Sequence, residues 1–245
     1  KNSIRALGFF KDVDIKEIPT AQPDRTTLQV KVEEQPTGEL SFSAGYSSVD
    51  QLVLDLGVTQ RNFRGRGQDV RARVSVGSLR QQVDLSFTEP RFLGRNLRAG
   101  IDIYSYKYDF SDYSAYKSES YGMNLRAGFP LTLNSSMSTR YVLRSDTVDI
   151  DDSYCDPTQP LVSLSLCAQR GSYVTSLIGY GLRLDRRNDP IRPTRGFYTA
   201  INQDLAGLGG DVNYLKTEVE GGWYHGFNKD FVLQAIGQHL DAGLR

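Results

Sequence analysis

The stretch Asp69-Val70-Arg71-Ala72-Arg73-Val74-Ser75-Val76-Gly77 is apolar and polar on strictly alternate residues. A β-strand sends successive side chains to opposite faces, so Val70, Ala72, Val74 and Val76 share one face while Arg71, Arg73 and Ser75 share the other. The same alternation recurs on both sides of this stretch. Leu40, Phe42, Ala44 and Tyr46 oppose Ser41, Ser43, Gly45 and Ser47. Leu52, Leu54, Leu56 and Val58 oppose Asp55 and Gly57. Val83, Leu85 and Phe87 oppose Gln82, Asp84 and Ser86, and Leu97, Ala99, Ile101 and Ile103 oppose Arg98, Gly100 and Asp102. Further strands are expected at about 115–129, 132–149, 171–187, 195–206, 212–227 and 231–241, which makes roughly eleven after Gly38.

What the polar face meets decides the class. Strands of a soluble sandwich typically run five or six residues. Many runs here exceed ten, the length needed to cross a bilayer at a tilt. Helical periodicity is almost absent, so no helix is available to cover a large sheet. Arg71, Arg73 and Asp84 suit a hydrated interior, and their apolar neighbours suit lipid. The expected fold is all-β, a transmembrane antiparallel β-barrel; the alternative is a soluble solenoid or sandwich.

Composition agrees. In 245 residues, 29 basic groups balance 29 acidic ones, so no global field recruits nucleic acid. Hydrophobic residues make up only 39% of the chain, as expected when every second residue of a strand touches lipid. The longest uncharged runs, 127–139 and 157–169, are too short for a membrane-spanning helix. Two Cys and two His at these spacings fit no zinc pattern, and neither a metal nor a cofactor is expected. The beginning Lys-Asn-Ser-Ile-Arg has neither an initiator Met nor a signal core, which suggests a processed precursor or a piece of a longer chain.

The pattern changes near Pro36. Residues 1–35 read as the end of a small mixed domain: a helical end over Asn2 to Leu7 stopped by Gly8, a strand carrying Val13, Ile15 and Ile18, a turn over Ala21–Asp24 after Pro19, and a half-buried strand carrying Leu28, Val30 and Val32. Residues 36–245 are the barrel. Its connections alternate in length. Gly65–Gly67, Pro90–Gly94 and Phe129–Pro130 are tight; 108–116 and 150–170 are long and polar. Barrels have short periplasmic turns and longer outer loops, which places 150–170 outside; the short connection at 48–51 departs from the rule.

A few constellations stand out. Gln60-Arg61-Asn62-Phe63-Arg64-Gly65-Arg66-Gly67-Gln68 reads as a tight basic hairpin tip, with Gly65 and Gly67 able to take positive φ. Cys155 and Cys167 share the long outer loop, and an oxidising compartment favours a disulfide over two free thiols. Asp189-Pro190-Ile191-Arg192-Pro193-Thr194-Arg195-Gly196-Phe197 reads as a rigid turn, with Pro193 fixing φ and Gly196 admitting a bend. His225, beside Trp223 and Tyr224, suits an interfacial aromatic belt. No nucleophile elbow or other catalytic constellation appears, so no enzymatic activity is expected.

Several phrases together carry a family resemblance. Leu7-Gly8-Phe9-Phe10-Lys11-Asp12-Val13 resembles a helix-to-strand junction of a POTRA domain. Val32-Glu33-Glu34-Gln35-Pro36-Thr37-Gly38 resembles the exit from the last such domain. Phe42 to Ser48 resembles a first barrel strand, Gln60 to Gln68 a "Q.NF.G.G" hairpin, and Phe87-Thr88-Glu89-Pro90-Arg91-Phe92-Leu93-Gly94 an "F.EP.FLG" turn. In this order and spacing they are similar to the POTRA-plus-barrel family of outer-membrane assembly subunits, whose relatives include translocation subunits and two-partner secretion barrels. The resemblance implies the C-terminal part of a last POTRA domain over 1–35, followed by about eleven of sixteen barrel strands. It places the chain in a bacterial outer membrane, with the POTRA part in the periplasm. The family's inward-folded loop motif would lie beyond Arg245, since Thr194 precedes Arg195-Gly196-Phe197. The resemblance further implies an assembly and insertion factor that templates client strands at a lateral gate. Its first strand would be Glu39, Leu40, Ser41, Phe42, Ser43, Ala44, Gly45, Tyr46, Ser47 and Ser48. The motif-bearing turns would be those of Gln60, Asn62, Phe63, Gly65 and Gly67, of Glu89, Pro90, Phe92 and Gly94, and of Pro193 and Gly196. Implied partners are outer-membrane lipids, client β-barrel proteins, and accessory lipoproteins and periplasmic chaperones reached through POTRA domains. A secretion barrel or a passive pore is the alternative.

Overall fold

The computed structural model describes residues 8–19, 26–48, 51–111, 116–156, 162–228 and 231–244. Two sheets form. The smaller pairs β1 (Phe10–Pro19) with β2 (Thr26–Glu34), antiparallel, with one register irregularity between Phe10 and Asp12. Val13 is fully buried, but Leu28, Val30 and Val32 are exposed rather than half-buried. Among the described residues nothing covers that face of β2. The expected helical end at Asn2–Leu7 and the turn at Ala21–Asp24 lie outside the described residues.

The larger sheet begins at Gly38. Its strands are β3 (Gly38–Ser47), β4 (Gln51–Phe63), β5 (Gln68–Gly77), β6 (Arg80–Glu89), β7 (Arg98–Asp109), β8 (Tyr116–Pro130), β9 (Ser135–Ile150), β10 (Gly171–Asp185), β11 (Arg195–Ala206), β12 (Tyr214–Gly226) and β13 (Val232–Leu244). These are eleven strands in sequence order, each antiparallel to the next, with β3 and β13 at the two edges. The eleven-strand meander is the one that alternation alone implies. Two sequence boundaries move. Ser48 falls in the turn after β3, and the hairpin expected at Phe129–Pro130 lies at Leu131–Asn134, closed by the Leu131 and Thr132 amides on Ser135 O at 2.9 and 3.1 Å.

Register carries the alternation across strands. Phe42, Leu56, Val74 and Val83 are successive partners, as are Leu40, Val58, Ala72, Leu85, Ile103 and Met123. The opposite face runs Ser41, Gly57, Arg73, Asp84 and Tyr104 through the same ladders. One face is thus continuously apolar and solvent-accessible, and the other polar. A soluble sheet would bury its apolar face; here Leu40, Leu54, Leu56, Val76, Leu85, Ile103, Ile178, Leu182 and Ile201 are all exposed. Burying an apolar face gains roughly 25 cal/mol per Å², so this exposed band is what a hydrocarbon solvent would cover. At one end of the band Trp223 stacks on His225 at 5.6 Å, and His225 meets Phe227 edge-on at 5.0 Å. The cluster joins Trp223, His225 and Phe227, whereas Tyr224, on the other face, is buried.

The alternation fails at β13. His239 pairs with Val219 and Asp241 with Thr217, on the otherwise apolar face, whereas Ile236 pairs with Gly222 and Leu240 with Glu218 on the polar one. Strand length is legible in this segment, but its facing is set by the hydrogen-bonded register to β12 and not by its own hydrophobicity.

The two faces predict different mutational costs. Val74→Arg, on the lipid side, should destabilise by about 2–4 kcal/mol, and Arg73→Ser, next to it on the polar side, by less than about 1 kcal/mol. Urea unfolding of the full-length protein refolded into bilayers measures both; equal costs would remove the lipid assignment.

Candidate functional site

β3 is one of the two edge strands of the large sheet, β13 being the other. It pairs along its whole length with β4, Gly38 with Gln60 through Ser47 with Gln51, and no strand lies on its other side among the described residues. Its outward residues are the most exposed of any strand start: Leu40 73%, Phe42 71% and Tyr46 79%. Its inward residues Ser41, Ser43, Gly45 and Ser47 are small. Ser41 Oγ donates to Gly57 O at 3.3 Å and Ser43 Oγ donates to Asp55 Oδ2 at 3.2 Å, and Ser47 is also partnered. Adhesion between β3 and β4 is therefore mostly backbone. An unpaired edge with weak side-chain contacts is a template for strand addition.

The base of β3 is tied more firmly. Thr37 O accepts from the Arg61 amide at 3.1 Å, Thr37 Oγ1 accepts from Gln60 Nε2 at 3.0 Å, and Glu39 faces Arg61 at 3.7 Å. Just before it, Gln35 donates its amide to Phe9 O at 3.1 Å and its side chain to Gly8 O at 2.7 Å. The chain leaving β2 is thus held by the segment entering β1.

Three of the sequence phrases meet at this base. Asn62 Oδ1 accepts from the Gly67 amide at 2.7 Å, which closes the turn between β4 and β5; Arg64, Gly65 and Gly67 all take positive φ there. Gln68 Nε2 donates to Glu89 Oε2 at 2.7 Å, and Glu89 Oε1 accepts the Arg91 amide at 3.0 Å, joining this turn to the one after β6. In that second turn Leu93 and Gly94 have positive φ and the Phe92 amide reaches Leu97 O at 2.8 Å. A Cβ on Gly67 would stand 3.6 Å from both the Phe9 ring and Pro90. Phe9, Gly67 and Pro90 therefore form one contact between the small sheet and the large one. Phe63 does not join it; its ring carries Arg64 at 5.4 Å instead.

The other singled-out residues sit apart. Gly196 has φ 101°, and a Cβ there would collide with Arg186 O. The turn that Gly196 ends is organised by Asn188, which sequence reading missed. Its Oδ1 accepts from the Thr194 and Arg195 amides at 3.0 and 2.9 Å, and its Nδ2 donates to Thr194 Oγ1 at 2.8 Å. An Asx residue ahead of a Pro-rich turn was the available signal. Asp189 Oδ1 accepts from the Ile191 and Arg192 amides at 2.7 and 3.1 Å, and these donors hold its carboxyl below the usual carboxylate range. Pro193 takes part in no hydrogen bond of this turn. Cys155 and Cys167 are joined by a disulfide with Cα atoms 5.8 Å apart, closing the outer loop next to a one-turn helix, Leu164–Cys167. Beside it Asp151 caps Ser153, whose hydroxyl and amide lower its carboxyl.

An antiparallel meander with one lipid-facing side, a polar interior side and an open first edge defines the class: a wall of a membrane-spanning β-barrel. The Omp85 superfamily domain matches residues 62–243, and the chain belongs to that superfamily. The chain is 26% identical over 254 aligned residues to the "Outer membrane protein assembly factor BamA" of Neisseria meningitidis, covering 99% of this chain and 32% of that protein. It is 28% identical to the BamA of Nitratidesulfovibrio vulgaris, covering 92% and 27%, and 25% identical to the human "Sorting and assembly machinery component 50 homolog", covering 90% and 46%. The chain thus spans about a quarter to a half of these relatives. In three dimensions it is similar to Haemophilus ducreyi BamA lacking POTRA domains 1–3, with TM-score 0.71, 24% identity and coverage of 100% of this chain and 48% of that one. It also resembles CdiB from Acinetobacter baumannii, with TM-score 0.56 and 12% identity over 97% and 46%.

Two consequences can be measured. Gly67→Val forces a β-branched residue to positive φ against Phe9 and Pro90, and should cost about 1–2 kcal/mol in unfolding of the full-length protein. Asp189 is held below its unfolded pKa, so its support of the 188–195 turn is present above about pH 4 and lost as pH falls through the folded value. Hydrogen exchange at the Ile191 and Arg192 amides should therefore be slow at pH 6 and faster in Asp189→Ala at the same pH; unchanged rates would refute the cap.

Proposed function

We propose that the chain is the gate-bearing part of an outer-membrane protein assembly factor, in which β3 accepts strands of incoming barrel proteins. The light side-chain attachment of β3 to β4 is the observation that carries this reading. The strand's free amides and carbonyls recognise backbone, which every client strand supplies, so recognition is indifferent to client sequence. Its small inward side chains hold few competing contacts, so a strand docked there can leave again. No covalent chemistry or nucleotide is needed, and the role is not enzymatic. Residues 39–48 do the templating. The Asn62–Gly67 and Glu89–Gly94 turns hold the base of β3 against residues 8–35, the part we assign to a POTRA domain. Client barrel proteins and outer-membrane lipids are the direct partners. Accessory lipoproteins and periplasmic chaperones would engage the POTRA part.

The names of the matched relatives support assembly over secretion or passive conduction. A translocating barrel or a pore would share the polar interior.

In the full-length protein, Cys at Ser43 or Ser47 should crosslink to a Cys on the edge strand of a client barrel during its assembly. Proline at Phe42 or Ala44 removes a backbone donor and should slow assembly while the barrel itself stays folded, read by heat-modifiable migration. Crosslinks confined to soluble periplasmic proteins, or a proline variant of normal rate, would sink the gate.

A further inference from the structure

On the polar face, one cross-strand row has a symmetrical composition. Register places Thr88, Gly100, Arg126, Arg140, Gly179, Asp204 and Lys216 side by side on seven successive strands, β6 to β12. Arg126 and Arg140 are directly paired, an arrangement of like charges that costs stability in a sheet.

The glycines on either side resolve the repulsion. Arg126 leans over Gly100, where a Cβ would stand 2.8 Å from its Cζ, and reaches Asp102 with Nε at 2.9 Å and Nη2 at 3.0 Å. The same Nη2 reaches Thr88 Oγ1 at 2.8 Å and Ser86 Oγ at 3.1 Å. Arg140 leans the other way, over Gly179, and grips Asp204 with Nε at 3.0 Å and Nη2 at 2.6 Å. The two guanidiniums are drawn apart.

The wall between and below them is left low. The next row is Arg98, Gly128, Ser138, Gly181 and Asn202, with small residues at its centre. A depression of about 340 Å³ lies here, lined by Arg98, Arg126, Arg140, Ser138 and Gly181 among others. Three arginines border it. Asp102 pairs with Arg126 and Asp204 with Arg140, whereas Arg98 has no hydrogen-bond or ion-pair partner among the described residues. The depression therefore holds one uncompensated positive charge.

We propose that this depression on the lumen wall binds a single carboxylate, as the side chain of an acidic residue in a peptide presents it. The charge count selects the ligand: one free cation matches a monoanion, whereas a phosphate ester carries about −1.5 to −2 near neutral pH. Arg98 makes the direct contact, and Arg126 and Arg140 supply the field and their remaining Nη1 donors. The glycines are part of the site, because a side chain at Gly100 or Gly179 would push an arginine back into the gap. The assignment uses only the lumen wall, so it stands or falls apart from the role of β3.

The test uses full-length protein folded in nanodiscs and blocked tripeptides, acetyl-Gly-Asp-Gly-amide against acetyl-Gly-Asn-Gly-amide, titrated calorimetrically to millimolar concentration. The Asp peptide should bind at least about tenfold more tightly than the Asn peptide, and more weakly as salt rises. Arg98→Ala should abolish the difference and Arg98→Lys should keep most of it; heat-modifiable migration confirms that each variant is folded. Equal binding of the two peptides, no binding of either, an unaltered Arg98→Ala, or inorganic phosphate binding more tightly than the Asp peptide would each overturn the assignment.

Discussion

A polypeptide in hydrocarbon has no water to satisfy its amides and carbonyls, so each must find a partner within the protein. That constraint shapes the large sheet. Strands β4 to β12 are hydrogen-bonded on both sides, in strict sequence order, and every hairpin is local. Two rows of backbone groups remain, on β3 and β13. An edge is a liability in a soluble sheet and a greater one in a membrane, so each of these two rows needs a partner.

The same constraint separates the tasks of the side chains. Since backbone bonding holds the wall together, the outward residues need only be apolar and the inward ones need only be solvated or paired. The inward face consequently carries the specific interactions: Arg126 with Asp102, Arg140 with Asp204, and Arg183 and Arg187 against the Tyr198 ring at 4.9 and 4.8 Å. β3 has none of this density. Its inward side chains are small, and Ser41 and Ser43 each reach β4 through a single hydrogen bond.

Where the small sheet meets the large one, side chains matter again. The Phe9, Gly67 and Pro90 contact, the Gln68–Glu89 bond and the Thr37–Gln60 bond lie at the base of β3. A strand firmly held at its foot and loosely along its length can open from the far end while keeping its register. The sequence phrases that looked like independent turns are three sides of this one joint.

Alternation at period two, strand lengths above ten and the scarcity of helical pattern were enough to establish a lipid-facing antiparallel meander, because those features are local and the side-chain period of a strand is fixed. The phrases around Gly8, Asn62 and Glu89 were readable for the same reason: positive φ and Asx turns leave local signatures. Facing and neighbourhood were not readable. The inverted facing of β13, the exposure of Leu28, Val30 and Val32, and the role of Asn188 depend on which strand lies alongside or which amides fold back. The opposition of Arg126 and Arg140 across Gly100 and Gly179 depends on the register of three strand pairs at once. Sequence decided what each strand is, since the solvent on either face selects its residues one by one; only the tertiary structure decided which side chains meet, since a shift of a single residue in register exchanges every partner across the sheet.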